Sequence, residues 1–124
     1  MAIGLCLAAG ALHAFVATHR FTLAWQHSIE KVRWEEDYVI GSAALELREA
    51  RIAGSGAGME PPDGAVLSGG VWHFRPATSR LRTLNLARSE FVDDYELCVL
   101  GRCHPLSRWI PVSAGVTTLA PCAR

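Results

Sequence analysis

Arg20-Phe21-Thr22-Leu23-Ala24-Trp25-Gln26, followed after a short break by Val32-Arg33-Trp34-Glu35-Glu36-Asp37-Tyr38-Val39-Ile40, decides the fold. In the first run Phe21, Leu23 and Trp25 alternate with polar or small neighbours, the period of a strand with one buried face. His27-Ser28 ends it. In the second run residues 32, 34, 36, 38 and 40 share one side, and Glu35, Asp37 and Val39 lie on the other. Glu36 is the misfit on the apolar side. A carboxylate there must be ion-paired, hydrogen-bonded, metal-bound or at the sheet rim, because an unpartnered buried charge is costly.

Working outward, Gly41-Ser42 reads as a hairpin turn. Residues 43–53 are helix formers by propensity, but Ala43, Leu45, Leu47 and Glu49 continue the period of two, with Glu46 and Arg48 on the other face, so a strand is predicted. Residues 54–70 form a long loop rich in glycine and broken by Pro61-Pro62. Gly54-Ser55-Gly56-Ala57-Gly58 lacks the Lys-Ser/Thr of a phosphate loop, and the prolines block a following helix. Short strands follow around Val71–Phe74, Leu84–Leu86, Tyr95–Leu100, Cys103–Leu106 and Val116–Leu119, and Pro105 marks an edge. Many short strands and turns, with no long amphipathic helix, predict an all-β domain: a small antiparallel barrel or sandwich carrying a long Gly/Pro-rich loop. Trp34 and Trp72 are expected in its core.

The 124 residues suit one domain, spanning residues 20–120, with residues 121–124 as a tail. Residues 1–19 are small and apolar with no charged residue before Arg20, and they read as a leader: an export signal or an anchor, though without a basic head. Half of the residues are apolar and 19% are charged, which excludes general disorder. Twelve basic and twelve acidic residues balance, Lys31 is the only lysine, and the arginines are scattered. Nucleic-acid binding needs a basic stripe and is excluded on that ground. Cys6 lies in the apolar leader. Cys98 and Cys103 have neither zinc nor thioredoxin spacing; they are free thiols in a reducing compartment, or a hairpin disulfide if the protein is exported.

His27 and Ser28 are adjacent, so in a strand they point to opposite faces, a poor arrangement for a nucleophile and its base. A hydrolase or a metal site built from His27 and the neighbouring Glu30, Glu35, Glu36 and Asp37, with the distant Asp93-Asp94 as further metal ligands, is the weaker alternative, and a hydrogen-bonded strand-end histidine the simpler one. No motif requires a cofactor.

Phe21-Thr22-Leu23-Ala24-Trp25-Gln26-His27-Ser28-Ile29-Glu30, the acidic Glu35-Glu36 and the later Gly56-Ala57-Gly58 resemble the opening signature of a bacterial family, the domain of unknown function DUF1850. The resemblance covers residues 20–120. It implies an export segment and genes placed beside TRAP-type transporters of the TAXI class. On that basis the expected function is an exported accessory or binding module for solute transport, touching a membrane permease or its periplasmic binding protein, on the extracytoplasmic side. The alternative is a structural envelope protein. His27, Ser28, Glu30, Glu36, Gly56 and Gly58 are the matching residues and become the candidate ligand-facing or structural junction, with no chemical role attached.

Overall fold

The computed structural model describes residues 2–26, 32–53, 63–76 and 79–124. The chain order is β1 (Ile3–Ala9), β2 (Leu12–Val16), β3 (Arg20–Gln26), β4 (Arg33–Ile40), β5 (Leu45–Ala53), β6 (Val66–Ser68), β7 (Val71–Phe74), β8 (Arg80–Leu81), β9 (Leu84–Leu86), β10 (Glu96–Val99), β11 (Arg102–Pro105) and β12 (Thr117–Ala123). Two short 3₁₀ turns, Leu106–Arg108 and Val112–Ala114, follow β11, each preceded by a proline. The strands form two antiparallel sheets. The smaller runs β2-β1-β12-β9 and the larger β11-β10-β3-β4-β5-β7-β6, with β8 also on β5. Neither sheet closes on itself, so of the two predicted architectures the sandwich is the one formed.

Alternation decides which residues fill the gap between the sheets. Leu5, Leu7 and Ala9 of β1, Leu86 of β9 and Leu119 of β12 face Phe21 and Leu23 of β3, Tyr38 and Ile40 of β4, and Leu97 of β10. Leu106 and Ile110 plug one end from the turns. Tyr38 is buried, and its ring stacks on Phe21 at 5.1 Å. Trp34 and Trp72, expected in the core, are only half-buried.

The β4–β5 pairing corrects the sequence reading of residues 43–53. Asp37 lies opposite Glu49, but Tyr38 lies opposite Leu47, so Arg48 is the extra residue of a β-bulge. The bulge resets the alternation. Leu45 and Leu47 point inward before it, Ala50 and Ile52 after it, and all four are buried. Glu49, expected on the Leu45 side, is turned to the outer face instead.

The stretch read as a leader is also different. Residues 3–16 form β1 and β2, and β1 lies in the middle of the smaller sheet between β2 and β12. Leu5 and Leu7 are fully buried, and Cys6 is bonded to Cys122. Gly4 permits this arrangement: a Cβ there would meet the carbonyl of Val16 at 2.5 Å and the Phe15 ring at 2.6 Å, so the ring lies directly over the strand. Residues 121–124, expected as a tail, mostly belong to β12, which runs to Ala123. Among the described residues, no helix is long and apolar enough to cross a membrane.

Candidate functional site

Of the six residues singled out from the sequence, His27, Ser28 and Glu30 lie outside the described residues, as do Gly56 and Gly58; of the loop predicted over 54–70, residues 63–70 are described, and Val66–Ser68 are not loop but β6, paired with β7. Glu36 is described. It sits in the middle of β4, opposite Leu23 on β3 and Ala50 on β5, on the inner face that strand parity assigned to it. The Tyr38 hydroxyl donates a hydrogen bond of 2.8 Å to Glu36 Oε1. Of the ways a carboxylate is tolerated there, hydrogen bonding is the one used.

Burial pushes the Glu36 carboxyl above the usual carboxylate range, and the Tyr38 hydrogen bond opposes this in part. Tyr38 itself is held far above an ordinary phenol, first by burial and then by the charge of Glu36. A carboxyl whose folded-state pKa is raised stabilises the fold below its unfolded pKa and loses that contribution as pH rises through the folded value. Glu36→Gln keeps an acceptor for Tyr38 and removes the charge. Its stability relative to wild type is therefore expected to rise as pH rises from the ordinary carboxylate range of about 4, measured by urea denaturation at successive pH values.

The same alternation builds a polar ladder on the outer face of the larger sheet. Its centre is Arg51 of β5. Arg51 Nε donates to Glu35 Oε1 at 3.0 Å, Nη1 to Asp37 Oδ2 at 2.6 Å and to Glu49 Oε2 at 2.7 Å, and Nη2 to Asp37 Oδ1 at 2.7 Å. The network extends sideways. Thr22 Oγ1 donates to Asp37 Oδ1 at 2.7 Å, and Arg33 bridges Glu35 and Glu96 at 2.9 and 2.7 Å. His73 Nδ1 lies 3.2 Å from the other oxygen of Glu49. Hydrogen bonds from Arg51 hold the Asp37 carboxyl below its ordinary range. Glu35 is also lowered, although burial opposes the hydrogen bonds from Arg33 and Arg51.

Sequence reading placed Glu35 and Asp37 on this face but missed Arg51 and Glu49. Both depend on the bulge at Arg48, because without it Glu49 would face the core. Arg51→Met leaves three carboxylates clustered without their shared cation. Since the arginine side chain is only 19% exposed but its partners are more open to solvent, the expected loss is about 1–3 kcal/mol. Denaturant unfolding measures it, and the carboxyl pKa values of Glu35 and Asp37 should rise together in an NMR titration.

Beside this ladder the β10–β11 hairpin continues the sheet to its edge. Cys98 and Cys103 face each other across it and form a disulfide, the pairing expected for an exported chain. The hairpin turn carries Leu100 at φ 54 and Gly101 at φ 78, and Leu100 is largely exposed. Between hairpin and ladder lies an open depression of about 460 Å³. Thr22, Asp37, Val39 and Arg51 line its sheet side; Arg20, Arg48 and the disulfide also border it. Among the described residues, no group of three His, Cys, Asp or Glu side chains is placed to hold a metal ion.

At the other end of β3 and β4, on the inner face, Trp25 and Trp34 are cross-strand neighbours with rings 6.1 Å apart and nearly parallel. Tyr95 tilts against Trp25 at 5.9 Å. Behind Tyr95, Arg88 and Asp94 form a two-pronged ion pair, Nε to Oδ1 at 3.0 Å and Nη2 to Oδ2 at 2.8 Å. Asp94 accepts two further bonds, from the backbone N–H groups of Tyr95 and Ser107. Arg88 also donates to the Pro111 carbonyl and to Thr117.

A family model described as a domain of unknown function, DUF1850, matches residues 21–106, a span that runs from the start of β3 through the stapled hairpin. No curated protein and no solved structure matches the chain.

Proposed function

The chain belongs to the DUF1850 family, and on that footing we propose that it is an extracytoplasmic accessory module that docks on a solute transporter. The observation that carries the reading is the state of its cysteines: all four are used in two disulfides, Cys6–Cys122 and Cys98–Cys103. Such bonds persist outside the reducing cytoplasm, in the periplasm or on the outer side of a membrane. The link to TRAP-type transporters of the TAXI class rests on the family resemblance.

The docking surface in this reading is the depression beside the Arg51 ladder. The polar groups of the ladder, Thr22, Glu35, Asp37 and Arg51, are already bonded to one another, so they present a fixed pattern and lose little freedom on binding. The stapled hairpin supplies a rigid wall and the exposed Leu100 an apolar contact. The partner is the membrane permease or the periplasmic binding protein.

The test is retention of each partner on the immobilised, oxidised protein at low salt. Retention of one, weakened by Leu100→Asp, supports docking through this face. If neither is retained, the accessory reading fails, and an envelope role without a transport partner takes its place.

A further inference from the structure

We propose that the cavity between Trp25, Tyr95 and Asp93 is a binding site for a small organic ammonium ion. It shares no lining residue with the docking depression, and its test needs no transporter, so either idea can fail without the other. The cavity holds about 210 Å³ at the end of β3, where the β9–β10 connection folds over the sheet. That is below the usual range for drug-sized ligands and suits a trimethylammonium-sized group rather than a nucleotide or a sugar chain.

Its walls decide the sign of the charge. Trp25, one face of which stacks on Trp34, and Tyr95 stand at an interplanar angle of 59°, tilted rather than stacked, and both line the cavity. The π faces of such rings carry negative potential and attract cations, most strongly when water is excluded. Among the described residues, Arg88 is the one cationic side chain lining the cavity. Its side chain is fully buried, and it is committed to Asp94, Pro111 and Thr117. Asp94 in turn spends both oxygens on Arg88 and on two backbone N–H groups.

What remains is Asp93. This residue lines the cavity, and its carboxylate has no hydrogen-bond or ion-pair partner among the described residues. Two aromatic rings and one carboxylate without a protein partner among the described residues favour an ammonium group over an anion. The wider field has the same sign: the Tyr95 hydroxyl is pushed up by burial, then by the charges of Asp94 and Glu36. Val92 supplies an apolar contact for the methyl or methylene groups of the ligand.

Choline is a suitable probe, and its neutral isostere, with a quaternary carbon in place of nitrogen, is the control. Titration followed by tryptophan fluorescence and calorimetry is expected to show saturable binding of choline and none of the isostere. Asp93→Asn, a change at an exposed residue, is expected to weaken choline roughly threefold, as for a partly screened ion pair. Trp25→Phe keeps a ring face and retains weaker binding, whereas Trp25→Leu loses it. No saturable signal with choline overturns the proposal. So does equal binding of the isostere, which marks a merely apolar cleft, or an Asp93→Asn affinity equal to wild type. Should Trp25→Leu fail to fold, the isostere and Asp93→Asn still decide.

Discussion

Replacing both Cys6 and Cys122 by alanine is expected to cost about 4–5 kcal/mol of stability, the largest loss from any change considered for this fold. The two cysteines are separated by 116 positions, so their bond closes a loop of nearly the whole chain and removes much of the freedom of the unfolded state. The hairpin disulfide, with a separation of 5, constrains the unfolded chain far less, and its removal is expected to cost about 2 kcal/mol on the same argument. Denaturant unfolding of the two double variants, both with alanine at the cysteine positions, measures the difference. Equal losses would show that chain entropy does not govern these bonds. The large effect has a structural basis as well. β1 contributes Leu5, Leu7 and Ala9 to the core, and without the bond this packing and the ladders with β2 and β12 hold it with no covalent tie.

Asp94→Ala is expected to cost about 3–5 kcal/mol, because it strands a buried guanidinium. The Arg88 side chain has no exposed surface and that of Asp94 only 13%, so water cannot replace the lost carboxylate. The change also frees the N–H groups of Tyr95 and Ser107, which hold the start of β10 against the first 3₁₀ turn. Asp94→Asn, which keeps an acceptor but not the charge, should lose less. Combining Arg88→Met with Asp94→Ala should be cheaper than the sum of the two single changes, since removing both charges leaves neither unpaired. A double-mutant cycle in urea checks this, and additive losses would mean that the pair is not coupled.

The two strands quoted first were legible because each has one buried and one open face. Phe21, Leu23 and Trp25 face inward, as does Glu36, as period-two counting required. The same counting failed at Arg48, since a bulge adds a residue without leaving a composition signal, and Glu49 changed sides. It failed differently at β1. That strand is apolar on both faces: Leu5 and Leu7 enter the core, while Cys6 and Ala8 lie on the other face, where the Phe15 ring covers Gly4. A continuous run of small apolar residues gives no alternation to count, and it matches the central part of a secretion signal equally well. The disulfide to Cys122 was missed with it. In the sequence Asp94 stands in the acidic run Asp93-Asp94-Tyr95-Glu96, which offers carboxylates but does not name a partner for them. Its role depends on a buried Arg88 six positions earlier and on Ser107 from the far side of the β10–β11 hairpin.

The neighbouring ends of the chain bear on how the domain carries mechanical load. Ala2 and Arg124 exchange two backbone hydrogen bonds, and β1 and β12 run antiparallel from there. Tension applied through the two ends therefore acts as a zipper pull, breaking one rung at a time. Opening starts at Ala2 and Arg124, passes Ile3 and Ala123, and meets the Cys6–Cys122 bond almost at once. From that point the force passes from strand to strand through a covalent link and never reaches the sandwich. Held between two attachments, the domain is a nearly inextensible coupling, and its β3–β11 faces keep their shape while the ends are pulled.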